Sequence, residues 1–290
     1  MSSTAVQIKT VKVDGDIEVF YREAGVASAP TVLLLHGFPT SSFQFRNLIP
    51  RLAPRYHVLA PDLPGFGFTV VPESREYKYT FDSFAKTIGA FLDALKVSKF
   101  AVYIFDYGAP TGLRLALERP DSITAIISQN GNAYKEGLGE VWGSVEKYWK
   151  EPTSENREAL RWLVSLDATK WQYVTGEPNP EAVPPETYHL DFALLSRPGN
   201  ADIQLDLFLN YETNVALYPA FQQYFRDRKP PVLAVWGKND QLFVAAGAEA
   251  YKKDNPNAIV RLIDGGHFAL ESHLEEVSAE VMAFLRRHGI

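Results

Sequence analysis

AVYIFDYGAPTGLRLAL, residues 101–117, is the stretch on which the reading of this chain turns. An apolar run from Phe100 to Phe105 stops at an acid, Asp106. A tight Tyr107-Gly108-Ala109-Pro110 turn follows, and apolar residues then recur at helical spacing. A continuous apolar run suits a strand covered on both faces, so a buried strand is predicted to pass through a sharp turn into a helix. Gly108 and Ala109 leave room for the turn, and Pro110 suits the first helical position, where no N–H is needed. Open α/β sheets bind ligands beyond the C-terminal ends of their strands. Asp106 would stand there beside a helix N-terminus, whose dipole and free N–H groups favour an anion. Taken alone, the pattern has a plainer explanation, because aspartate is a common helix N-cap.

The same rhythm extends outward. Val11–Val13 and Ile17–Tyr21 flank Asp14-Gly15, a hairpin signal. Thr31–Leu35 is a second continuous apolar run, ending in His36-Gly37-Phe38-Pro39. A helix is predicted from about Ser42 to Leu52. Strand Tyr56–Ala60 then leads into Asp62-Leu63-Pro64-Gly65-Phe66-Gly67. Thr80 or Asp82 can cap a helix carrying Phe84, Ile88, Phe91, Leu92 and Leu95. Ile123–Ile127, Pro231–Trp236 and Ile259–Ile263 read as further strands, and about Leu274–Arg287 as the last helix. Strands alternating with helices predict an α/β fold with a mainly parallel, doubly wound sheet.

Residues from about Ala133 to Leu217 break that rhythm. They show helical patterns and Pro-rich turns, no clear buried strand, and four of the five tryptophans. The segment 133–217 reads as a helical cap inserted into a core made of 1–132 and 218–290. A small second domain unrelated to any site is the alternative.

With 46% apolar and 22% charged residues in 290, the composition is that of a globular protein. The net charge of −6 and the lack of a basic run argue against nucleic acid or an anionic membrane as partner. There is no cysteine, which excludes disulfides, thiolate metal sites and Cys nucleophiles. No metal or cofactor is expected. Met1-Ser2-Ser3-Thr4 starts no signal sequence, and no segment approaches ~18 uninterrupted apolar residues, so a soluble, cytoplasmic protein is expected. A homodimer through the cap is left open.

Two further residues change the weight of Asp106. Asp240 lies in Gly237-Lys238-Asn239-Asp240 and His267 in Gly265-Gly266-His267-Phe268, each just past a predicted strand. All three fall at one sheet edge, in the order acid, acid, histidine. That is the nucleophile–acid–base order of nucleophile-elbow hydrolases with carboxylate in place of serine, and the chain has no Gly-x-Ser-x-Gly. Gly37 lets backbone approach a ligand, so the N–H groups of Phe38 and Tyr107 are expected to form an oxyanion hole.

On these pieces the chain resembles the α/β-hydrolase superfamily over nearly its whole length. Within it, the chain is similar to the epoxide hydrolase and haloalkane dehalogenase branch, whose nucleophile is Asp. One departure is Ile104, where elbows of the superfamily usually carry Gly. The resemblance implies attack by Asp106 at a saturated carbon and an alkyl-ester intermediate. Water, activated by His267 and Asp240, then hydrolyses the ester. Dehalogenases of the branch usually carry Trp after the nucleophile, where this chain has Tyr107. Epoxide hydrolases place two tyrosines on the cap, which points to Tyr211 and, with it, Tyr148. His36, Trp149 and Tyr173 are candidate substrate contacts. The expected activity is hydrolysis of a small apolar epoxide to a vicinal diol. The alternatives are a haloalkane or haloacid dehalogenase and a non-catalytic small-molecule-binding homologue.

Overall fold

Strands β1 (Gln7–Val13) and β2 (Ile17–Ala24) form the hairpin expected around Asp14-Gly15, with Val13 opposite Ile17. Asp14, Gly15 and Asp16 turn the chain in three successive left-handed conformations. The structure, a computed structural model, describes residues 5–290. Residues 1–4, on which part of the signal-sequence expectation rests, lie outside the described residues.

Six more strands complete one sheet: β3 (Thr31–Leu35), β4 (His57–Pro61), β5 (Phe100–Phe105), β6 (Ile123–Gln129), β7 (Val232–Gly237) and β8 (Ile259–Ile263). Their order is β1-β2-β4-β3-β5-β6-β7-β8, antiparallel from β1 to β4 and parallel beyond. β3, β4, β5 and β7 are buried at every residue, as their apolar runs require. β1 and β8 are edges, where Lys9, Lys12 and Arg261 keep unpaired backbone from recruiting another chain.

Helices cover both faces. Thr80, not Asp82, caps helix Phe81–Ala94, its hydroxyl accepting from the Ser83 N–H. Helix Leu274–Arg287 buries Val277, Val281, Phe284 and Leu285, one stripe at helical spacing. The single helix expected over 42–52 is in fact a 3₁₀ turn, Ser42–Phe45, and a short helix, Ile49–Leu52. Pro50 has no N–H for an i−4 carbonyl, and Asp62 Oδ1 takes the Ser42 N–H at 2.7 Å.

Between β6 and β7 the chain forms helices and 3₁₀ turns joined by loops and no strand among the described residues, apart from an isolated bridge at Leu138. The last helix of this stretch, Glu212–Arg228, runs continuously through position 217. Among the described residues, no helix is long and apolar enough to cross a membrane.

Candidate active site

The elbow holds its acid in a conformation few residues adopt. β5 ends at Phe105, Asp106 sits at φ 46°, and helix Gly108–Glu118 begins two residues later. A non-glycine residue in the left-handed region costs energy and persists where the surroundings fix it. Tyr107, not Asp106, occupies the cap position, and the Asp106 carbonyl accepts the Ala109 N–H at 2.9 Å. The helix therefore starts earlier than expected, and Pro110 is its third residue. It remains in the first turn, where an N–H has no helical partner. Ile104 is accommodated from the other side: a Cβ on Gly112 would collide with its side chain.

The Asp106 carboxylate meets the loop after β3. There its Oδ1 accepts the Phe38 N–H at 2.5 Å. A Cβ on Gly37 would overlap Asp106 Oδ1 and the Tyr107 nitrogen, so only glycine permits this approach. Burial pushes Asp106 up to about 6, against the charge of His267 and the N–H groups of Phe38 and Tyr107. The carboxylate is ionised at neutral pH but desolvated, the condition of a strong nucleophile.

His267 and Asp240 converge on it. His267 Nδ1 lies 2.8 Å from Asp240 Oδ2, which fixes the proton on Nδ1 and the lone pair on Nε2. Nε2 is 3.9 Å from Asp106 Oδ2 and has no hydrogen-bond partner among the described residues. Burial alone would lower the imidazole pKa, but the charge and hydrogen bond of Asp240, with Asp106 beyond, leave it raised. Asp240 is held in turn by the Leu242 N–H and by Asn130 Nδ2, both at 2.7 Å. Asn130 also accepts the Gly237 N–H at 3.0 Å, and Gln129 donates to the His267 carbonyl at 2.9 Å. Neither Gln129 nor Asn130 was singled out from the sequence. Their signal is a polar pair ending an apolar strand at this same edge.

A narrow cavity of about 30 Å³ opens onto Asp106. Phe38, Trp142, Val145, Leu163 and Phe208 make it apolar, and Gln172 is its one amide side chain. The other expected residues divide. Tyr211 is fully buried, its ring 5.8 Å from that of Tyr107 and 4.4 Å from that of Trp142. Its hydroxyl lies 3.5 Å from that of Tyr218, which sequence reasoning missed although the two are two helical turns apart. Burial pushes both hydroxyls up, and the nearby Asp106 carboxylate adds to this. Tyr148 is buried on the helix that supplies Val145 but does not line the cavity.

Three expected substrate contacts have other tasks. His36 accepts the Leu63 N–H on Nε2 at 2.9 Å and directs Nδ1 to the Gly37 carbonyl at 3.1 Å. It is a buried brace between two loops, and burial keeps it neutral. Trp149 stacks on Tyr211 and spends its N–H on the Phe208 carbonyl at 2.7 Å. Tyr173 stacks on Phe268 and donates to Asp191, a carboxyl that burial pushes up to about 8.

A strand–elbow–helix carrying an acid, with an acid–histidine pair beyond β7 and β8, is the arrangement of an α/β hydrolase with a carboxylate at the elbow. The chain belongs to the alpha/beta hydrolase fold family, whose model matches residues 30–274. It is 51% identical over 287 residues, 98% of each chain, to an uncharacterized hydrolase of Saccharomyces cerevisiae. It is 37% identical to a haloalkane dehalogenase of Psychrobacter cryohalolentis over 118 residues, 40% of this chain and 39% of that one. An epoxide hydrolase from Vigna radiata superposes with a TM-score of 0.73 at 25% identity, covering 97% of this chain and 98% of that one. The protein is thus a hydrolase of this fold, related to dehalogenases and epoxide hydrolases.

Proposed function

We propose that this protein hydrolyses small apolar epoxides to vicinal diols through an alkyl ester on Asp106, beneath a cap formed by residues 133–217. An aspartate nucleophile suits a saturated carbon, because an acyl substrate would give a labile anhydride. Asp106 Oδ2 attacks an epoxide carbon, the C–O bond breaks, and the departing oxygen takes the Tyr211 proton. His267 then removes a proton from water, which attacks the ester carbonyl while Phe38 and Tyr107 hold the oxyanion on Oδ1. Collapse expels the diol oxygen, which takes the proton from His267. The proton left on the Asp106 carboxyl restores Tyr211.

One observation carries the assignment of the leaving group. The phenolic hydroxyls of Tyr211 and Tyr218 lie within reach of the Asp106 charge, Gln172 brings the cavity its one amide side chain, and Trp142 and Trp149 both spend their indole N–H groups on backbone carbonyls. An epoxide oxygen needs an acid, whereas a halide needs weak N–H donors. Dehalogenation is the second reading, favoured by the local sequence similarity to haloalkane dehalogenases. Steady-state rates on styrene-type and aliphatic epoxides, beside haloalkanes and haloacetate, decide between them. Diol formation with no halide release supports the proposal; halide release alone replaces it. Asp106→Ala abolishes either activity, and wild-type turnover in that variant removes the carboxylate mechanism.

A further inference from the structure

Tyr211 is the cap residue before helix Glu212–Arg228 and Tyr218 follows two turns later, so the two rings share a face. Their hydroxyls are 3.5 Å apart, and either oxygen could donate on distance alone. Asn132 removes that ambiguity. Its Nδ2 donates to the Tyr134 carbonyl at 2.8 Å, and its Oδ1 accepts the Tyr134 N–H at 3.3 Å. Two backbone groups thereby fix which end of the amide is nitrogen. The second hydrogen on Nδ2 is directed at the Tyr218 oxygen, 3.2 Å away.

The Tyr218 oxygen is therefore an acceptor, and its proton must go elsewhere. Tyr218 is buried, and the Tyr211 oxygen is its other hydrogen-bond contact among the described residues. Tyr211 has no further partner there, so its own proton is uncommitted. We infer that Tyr218, oriented by Asn132, is a positioning residue that holds the Tyr211 oxygen as acceptor and leaves the Tyr211 proton for the departing oxygen of the substrate. The chain of donors runs Asn132 to Tyr218 to Tyr211, with Asp106 and the substrate beyond. When Tyr211 gives up its proton, the Tyr218 hydroxyl is already aimed at the new phenolate. Catalytic hydrogen bonds of this kind tighten in the substrate complex.

This inference rests on the proposed ring opening by Asp106, so its test isolates that step. In His267→Gln the ester accumulates, and its formation is followed as mass added to the intact protein against time and epoxide concentration. Adding Tyr218→Phe lowers the plateau rate of mass gain about tenfold to a hundredfold. The half-saturating epoxide concentration and the thermal midpoint stay close to those of the parent. An equal plateau rate, or a change confined to half-saturation, overturns the role of Tyr218 and leaves the Asp106 reading standing. No mass gain in His267→Gln alone, with any epoxide that the wild type consumes, overturns the two-step reading and this inference with it.

Discussion

His267 Nε2 faces Asp106 Oδ2 across 3.9 Å, and among the described residues no group claims its lone pair. The gap is too long for a hydrogen bond, so the imidazole leaves the carboxylate free for the attack proposed above. It can serve as a base only toward something that arrives later. His267→Gln should therefore spare ester formation and slow ester hydrolysis by roughly 10²–10⁴-fold. Intact-protein mass spectrometry checks this: an adduct that persists for many turnover times is expected. Unmodified protein with activity lost counts against the arrangement.

Asp106 should be costly to the fold. Its carboxyl is raised from 3.8 to about 6, mainly by burial. A carboxyl with a folded pKa above its unfolded value destabilises once ionised. That cost is full above pH 6 and gone below about pH 3.8. Two pKa units correspond to about 3 kcal/mol, an upper figure for what Asp106→Asn returns at pH 7.5. Denaturant midpoints at pH 7.5 and pH 4 test this, with the variant's advantage shrinking at the lower pH.

The same shift sets the acid limb of activity. On the proposed route only ionised Asp106 attacks, so kcat/KM should fall about tenfold per pH unit below pH 6. A limb placed near pH 4 would mean that the nucleophile is more solvated than its burial indicates.

Asn130 joins Asp240 to the backbone of β7. Asn130→Ala removes a donor from a buried carboxylate and should slow turnover about tenfold to a hundredfold, equivalent to about 1.4–2.8 kcal/mol. Single-turnover measurements should show the loss in ester hydrolysis, with ester formation nearly unchanged.

Trp149→Phe distinguishes a packing indole from a halide donor. Loss of the bond to the Phe208 carbonyl should lower stability by about 1 kcal/mol. Any substrates that the protein accepts, epoxide or haloalkane, should be affected by the same factor. A selective loss with haloalkanes would return the indole to the site.

The parts legible in the sequence were those written in consecutive residues. β3 and β5 occupy their expected spans because an uninterrupted apolar run between turn residues leaves little choice of boundary, and β8 does so although Arg261 interrupts its apolar residues. Asp106, Asp240 and His267 could be brought together because each follows a strand visible in the sequence and those strands are parallel. The tasks of the surrounding side chains were not legible, because their partners are distant in the chain. Trp149 meets a carbonyl 59 residues away, and Tyr218 meets an amide 86 residues away. His36 was read as a substrate contact because its neighbours line the site. Its own nitrogens are engaged by Leu63 and Gly37, which only the folded loop reveals.

The Phe38 N–H on Asp106 Oδ1 gives the two oxygens of one carboxylate separate histories. On the proposed route, the oxygen facing His267 departs with the product, and the oxygen from water takes its vacant place. The tethered oxygen is retained through every cycle. Each diol then carries away the atom that its predecessor left behind, so the protein keeps an isotopic memory one turnover deep. In heavy-oxygen water the first diol should be unlabelled and the second fully labelled. A second diol labelled by half would show that the carboxylate rotates between cycles.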